Sequence, residues 1–389
     1  MKEQTIFQLR GQLKQYDWGG ISYLPTLLGF KNLEAQPFAE YWLGTHPSAS
    51  AIFYNSEKSV LLQQKVELTY LFKILDVAQM LSIQVHPSKE QAEIGFEKEN
   101  EAKIPMEAPN RNYKDCNHKP EMAIALDEFW LIHGFKTVEK ILQILNSIPE
   151  FDCMGSIFER EGTKGLYNYV MTTSQENVND ILTPLLARII PCYNLNEYKK
   201  SDENYWAAKA ALTFNKEKIC DRGIFSIYFF NLVCLQKGEG IVQLSGVPHA
   251  YLQGQCVEIM ANSDNVLRAG LTTKHIDIAE LLKIVKIEPT VPDILHGIQT
   301  EFETNFPTEV SDFKLSLFKQ KIGEASTFFP NGTEIVFVTK GGMLLECEGL
   351  KIELKQGDSA VLFSGKQIQM TSLLDAEIYK ASGSKEIMN

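Results

Sequence analysis

The sequence predicts a mainly β protein carrying a helical insert, and three observations predict it. Strand-like stretches, Gln4 to Leu13, Phe38 to Pro47, Leu68 to His86 and the run from Glu121, dominate the first 136 positions. From Thr137 to about Lys218 the period lengthens to about 3.6, the spacing of helices. After Pro289, short strands separated by Gly and Asp turns return. The expected division is therefore one β unit from 1–136 and 221–300, a helical insert at 137–220, and a C-terminal β unit at 301–389.

Composition narrows the classes of function. The chain has 389 residues, enough for two or three domains with cores of their own. At 44% hydrophobic and 22% charged it is neither disordered nor collagen-like. No apolar run approaches the roughly 20 residues needed to span a bilayer, and MKEQTIFQLRGQL has no apolar stretch fit for a secretory signal. A net charge of −11 without a basic block argues against nucleic acid and anionic membranes as partners. The seven cysteines are scattered, with no C-x-x-C pair, which suits reduced thiols in the cytoplasm.

Taken in order, Gln4 to Leu13 alternate enough for a first strand. Tyr16-Asp17-Trp18-Gly19-Gly20 supplies turn residues, expected as a hairpin end plugged by an aromatic side chain. Phe38 to Pro47 is an aromatic-rich strand and turn. Leu68 to Leu81 is mostly apolar with one conspicuous cation, Lys73, which either snorkels to water or points into a pocket.

The stretch from Leu81 to Leu126 carries the chemistry. Gln84, Val85 and His86 end an apolar run, and side chains two apart in a strand share a face. Pro87 forbids further ladder pairing. Ser88 and Gln91 form a capping box that opens a helix to about Asn100. Glu101 to Asn117 is polar, broken by Pro105, Pro109 and Asn110, and reads as a long surface loop. Glu121 then opens the strand-like run MAIAL. An amide oxygen, an imidazole and a carboxylate at strand ends make three parts of a metal site, and His249 in SGVPHAY is the best candidate for the fourth. Mixed N/O ligation suits Zn²⁺ or another divalent transition ion with one position open. The plainer alternative is that Gln84 and His86 cap a strand while Glu121 pairs with Lys119.

The insert reads as helices through VEKILQILNSI, TKGLYNYVM, VNDILTPLLARII and NYWAAKAALTF, with Ser174 as an N-cap. A strand is expected over Ile224 to Cys234, followed by the turn Lys237-Gly238-Glu239-Gly240. Gly238 to His249 resembles the second cupin motif, a glycine, five residues, then P-x-G-x-x-H, with Leu244 in place of the proline. Gly357 to Gly365 echoes it, but Ile368 stands where the histidine would be, and no histidine follows His296. Two jelly-roll units are implied, only one of them with ligands. Past Glu258, the turn Asn262 to Asn265 leads to Arg268, Gly270 and Lys274. Two cations spaced around glycine suit a dianion, although such a pair also occurs as surface ion pairs.

Together YDWG (16–19), AEYWLGTHP (39–47), LFKIL and LSIQVHPSK (71–89), NHKPEMAIAL (117–126), and PHAY with MANSDNVLRAGLTTKHID (248–277) resemble the type I mannose-6-phosphate isomerase family over nearly the whole chain. The resemblance implies a catalytic cupin domain, a helical domain inserted into it, and a C-terminal jelly roll. It implies one Zn²⁺ on Gln84, His86, Glu121 and His249. It implies interconversion of mannose 6-phosphate and fructose 6-phosphate by proton transfer between C1 and C2 through an enediolate. Catalytic roles would fall on Arg268, Lys119, Lys73, Glu258 and Asp264, and substrate contacts on Lys274, Tyr251, His118 and Trp18. The base stays open among Lys73, His118, Lys119, Glu258 and Asp264. Two other classes fit the bare ligand pattern: a metal oxygenase, disfavoured by the Gln84 amide, and a sugar-phosphate sensor without turnover. The expected partner is a small sugar phosphate, and the chain is expected to be a monomer or homodimer.

Overall fold

A computed structural model of the chain describes residues 4–54 and 60–383. Two antiparallel sheets form the first β unit, and they share one long strand, His249–Ala261. In the first sheet its C-terminal half lies between Tyr70–Val77 and Glu121–Ala125, with Glu40–Gly44 and Glu239–Gln243 beyond them. In the second its N-terminal end pairs with Ile83–Val85 and Phe129–Phe135, flanked by Leu267–Gly270 and Phe230–Leu235. The strand serves both sheets because it bends. Its register with Phe129–Phe135 shifts between Tyr251 and Gln253. Gly254 follows at φ +129, where a Cβ would lie 2.5 Å from the Glu128 carbonyl oxygen.

Alternation along the first sheet separates two environments. Tyr70, Phe72, Ile74, Met122, Ile124, Val257 and Ile259 pack with Phe313, Leu315, Phe337 and Tyr379 in one core shared with the C-terminal unit. Lys73, Glu121 and Glu258 alternate with them and line a cavity on the other side.

Between the two sheets' strands the chain forms helices at Val138–Ser147, Asp152–Thr172, Gln175–Asn194 and Glu203–Phe214. Side-chain oxygens of Thr137, Ser174 and Asp202 accept backbone N–H groups at three of their N-termini. Helix and sheet share a core that includes Phe135, Phe151, Tyr167, Trp206 and Phe225. The predicted capping box is present, with Gln91 N donating to Ser88 Oγ at 3.2 Å and Ser88 N to Gln91 Oε1 at 2.9 Å, ahead of the helix Lys89–Glu101.

Three sequence expectations are corrected. Residues Gly223–Phe229 are a helix, and the strand begins only at Phe230. Every residue of that helix is buried, so no polar–apolar alternation distinguishes it from a buried strand. Tertiary contacts decide: Lys136 Nζ donates to the Tyr228 and Phe230 carbonyls at 2.8 and 2.6 Å and ends the helix there. The first strand, Ile6–Arg10, was expected in the first unit but pairs with Ser359–Leu362 of the C-terminal sheet. Ile6 fills the C-terminal sandwich core, so burial in that core wins over sequence proximity. The aromatic turn after Leu13 closes no hairpin: Gly19 and Gly20 bridge instead to Val77 and Phe38.

The C-terminal unit is a sandwich. Its larger sheet contains Phe313–Gln320, Glu334–Lys340, Ser359–Leu362 and Ala376–Gly383, and a four-stranded sheet faces it across Val336, Met343, Leu345, Ile368 and Met370.

Candidate metal centre and active site

Strand register assembles the site from distant segments. Gln84 is paired with His249 on one side and Arg268 on the other, and His249 is paired with His133. Partners directly opposite in antiparallel strands project to the same face, so one row carries Arg268, Gln84, His249 and His133. On the other sheet Glu258 is paired with Lys73, and Lys73 with Trp42. The bend at Gly254 brings Gln84 and His249 of one row and Lys73 and Glu258 of the other to one cavity of about 60 Å³, whose lining also includes Glu40, Leu75, Leu81, Lys119, Glu121 and Tyr251.

The ligand atoms converge. His86 Nε2 lies 3.4 Å from Glu121 Oε1, and His249 Nε2 lies 3.4 Å from Glu121 Oε2. The three ligand atoms are all within 4.8 Å of one another. Each imidazole is oriented from behind: His86 Nδ1 faces the Asn265 carbonyl at 2.9 Å and His249 Nδ1 faces the Val247 carbonyl at 3.1 Å. Carbonyls only accept, so each Nδ1 carries a proton and each Nε2 is turned toward Glu121. His86 Nε2 is fully buried and makes no hydrogen bond among the described residues. Two imidazoles, a carboxylate and the Gln84 amide on the same wall are a donor set that fits Zn²⁺.

Electrostatics agree with that role. Burial, then the Lys119 charge, hold His86 down at about 4, so it is neutral and ready to ligate. Burial alone would raise Glu121, but Lys119 and the two histidines hold it well below the usual carboxylate range. Lys119 Nζ lies 2.8 Å from Glu121 Oε1, so the plainer pairing foreseen for Glu121 is present alongside the metal geometry.

Lys73 does not snorkel. It is buried, 2.6 Å from Glu258 Oε2, while Tyr251 donates its hydroxyl to Glu258 Oε1 at 2.8 Å. Burial alone would lower Lys73, but the carboxylates of Glu258, Glu40 and Glu121 outweigh it and keep the ammonium charged. Burial pushes Glu258 up, against the pull of Lys73.

The remaining candidates spread around this floor. Asp264 lies at the exposed rim, 3.4 Å from His46 Nε2. Trp18 stacks on Tyr16 at 5.8 Å, and its carbonyl accepts the Ala78 and Gln79 amides. Lys274 is exposed and close enough to Arg268 that, after burial, its charge lowers Lys274. His118 is not brought to the cavity: its Nε2 lies 3.0 Å from Asp312 Oδ1 of the C-terminal unit. Glu40 and Trp42 escaped the sequence reading, although a glutamate two residues from a tryptophan in a strand places both on one face. Gln243 also escaped it; it is paired with Glu121 and is fully buried.

The model of the type I phosphomannose isomerase catalytic domain matches residues 6–138. Mannose-6-phosphate isomerase of Escherichia coli (strain K12) is 35% identical over 382 residues, covering 91% of this chain and 94% of that protein. The chain belongs to the mannose-6-phosphate isomerase family. Mannose-6-phosphate isomerase 1 of Arabidopsis thaliana is 30% identical, with 97% of this chain and 94% of that protein covered. Among solved structures, the mannose 6-phosphate isomerase of Salmonella typhimurium bound to its substrate and to zinc superposes with a TM-score of 0.87. That match is 32% identical and covers 98% of this chain and 100% of the other. Coverage this complete places the family likeness on the C-terminal sandwich as well as on the metal-bearing unit.

Proposed function

We propose that the chain is a zinc-dependent aldose–ketose isomerase that interconverts mannose 6-phosphate and fructose 6-phosphate. The observation that carries this reading is the convergence of His86, Glu121 and His249 beside a buried Lys73–Glu258 pair. Zn²⁺ held by these three and Gln84 would supply Lewis-acid polarisation of the sugar's C1 and C2 oxygens.

The chain's own groups do the rest. Glu258 takes the proton from one carbon and returns it to the other; a carboxyl raised by burial suits a base that must also give its proton back. Lys73 and Tyr251 hold the two carboxylate oxygens in place. Arg268, one strand beyond Gln84, stabilises charge on the enediolate. Lys274 holds the phosphate as a point charge. Lys119 orients Glu121, and Asp264, His46 and Trp18 border the entrance. The reacting end of the sugar enters this cavity, and the phosphate lies outward, on the side of Lys274. All these residues come from one chain, so a monomer has a complete site. The seven free cysteines favour a reducing compartment, the cytoplasm, and among the described residues no helix is long and apolar enough to cross a membrane.

The test is a coupled assay from mannose 6-phosphate, with zinc measured on the same sample. Zinc-loaded protein without turnover would overturn the reading. Glu258→Gln should lower kcat by about 10²–10⁴-fold and abolish deuterium uptake at C2 in heavy water. If exchange persists, the base lies elsewhere and Lys119 becomes the next candidate.

A further inference from the structure

One carboxylate joins the segment just after the helical insert to the strand end that precedes Lys274. Asp221 Oδ1 accepts the Gly223 amide at 2.7 Å and the Leu271 amide at 2.8 Å, while Oδ2 accepts the Thr272 amide at 3.0 Å. Leu271 is fully buried at φ +52, a left-handed conformation that a branched side chain keeps only where its surroundings impose it. Beside it, Gly270 at φ +135 packs on Gly223 so closely that a Cβ would meet Gly223 Cα at 2.4 Å. The turn Gly270 to Thr272 is the piece of chain that separates Arg268 from Lys274. Its shape is therefore imposed from the segment that follows the insert, through the Leu271 and Thr272 amide hydrogen bonds and a glycine-on-glycine contact.

We propose that Asp221 is a positioning residue for the substrate phosphate, clamping the Gly270–Thr272 turn so that Lys274 is held at the phosphate while Arg268 stays beside Gln84 at the reacting end. The inference rests on the reading of Lys274 as the phosphate anchor. Asp221 touches neither the substrate nor the metal ligands; it acts through the backbone it holds. A function is thereby assigned to the segment that leaves the insert: it shapes the phosphate end of the site while the β strands shape the metal end.

The experiment uses the zinc-loaded full-length enzyme with inorganic phosphate as a competitive probe. Asp221→Ala leaves three amides without their acceptor and should raise both KM for mannose 6-phosphate and Ki for phosphate by about tenfold, with kcat within about twofold and zinc content unchanged. Asp221→Asn keeps an oxygen for Gly223 and Leu271 and loses the acceptor for Thr272, so it should fall between parent and alanine. If the alanine variant does not fold, the asparagine variant decides by its Ki. Asn179→Ala is the structural control. Asn179 Oδ1 accepts the neighbouring Cys220 amide at 3.0 Å, so its loss loosens the same segment without reaching Leu271. It should lower Tm and leave Ki alone. Parent-like Ki in both Asp221 variants, or a Ki rise equalled by Asn179→Ala, overturns the proposal. Lys274→Ala separates the two readings. If it leaves Ki unchanged, the phosphate assignment fails and this inference falls with it; if it raises Ki while the Asp221 variants do not, only this inference fails.

Discussion

Arg268 is where a single side chain distinguishes two uses of positive charge. A guanidinium that stabilises the enediolate acts only in the transition state, and its loss lowers kcat and kcat/KM together; a phosphate anchor mainly raises KM. Arg268 is register-paired with Gln84, itself paired with His249, which favours the first. Arg268→Lys keeps the charge and loses the planar fork. Its kcat should fall by about 10²-fold with little change in KM; an unchanged kcat with a raised KM in steady-state kinetics would make Arg268 an anchor. At the metal, His249→Ala removes one Nε2 from a cluster of three. Zinc stoichiometry and activity should both drop, and full zinc retention in a His86→Ala/His249→Ala double variant would exclude this site.

At the scale of elements, the bend in His249–Ala261 unites the site. His249 lies before it and Glu258 after it, one in each sheet. Gly254 makes the bend possible, because a Cβ would meet backbone and φ +129 is a region side chains avoid. Gly254→Ala should cost about 2–4 kcal/mol in urea unfolding and weaken zinc binding as the two rows separate. Wild-type zinc affinity in a destabilised variant would show that the ligands do not depend on the bend. The helix Gly223–Phe229 belongs to the same scale. Its sequence, all apolar but for one serine, carried no period that could identify it, and tertiary contacts such as those of Lys136 decided what propensity left open.

Across the whole molecule, buried histidines couple stability to pH. Burial holds both His86 and His133 at about 4, whereas in the unfolded chain they titrate near the ordinary value of about 6.5. The unfolded state therefore binds more protons between these values. In metal-free protein their contribution is full above about 6.5 and is lost as pH falls toward about 4, a change of roughly 3 kcal/mol for each group. Urea midpoints measured from pH 7 to 4.5 after chelation should fall steadily; a flat profile would show that these imidazoles are not buried neutral. The C-terminal sandwich supports the site without joining it. Removing residues 301–389 would expose Phe72, Ile74 and Ile259 and deprive Ile6–Arg10 of its partner strand, so the truncated chain should aggregate on size exclusion. Lys351→Ala, on an exposed strand of that unit, should leave kcat unchanged.

The sequence by itself determined the candidate metal ligands, the cupin-like units and the family likeness, because each is written in local chemistry. Gln84 and His86 stand two apart before a proline, Glu121 opens an apolar run, and His249 closes a glycine-spaced motif. The ligand geometry then followed from strands whose alternation is local too. What only the tertiary structure decided were relations between segments far apart in the chain. Lys73 is a buried cation rather than a snorkelling one because Glu258, 185 residues away, lies across the ladder from it. His118 turned to Asp312 because the C-terminal unit docks there. Ile6–Arg10 joined the last sheet, and Asp221 reached the turn after Arg268, through contacts that no period or spacing records. Periodicity reports which face of an element is buried; it does not report what buries it.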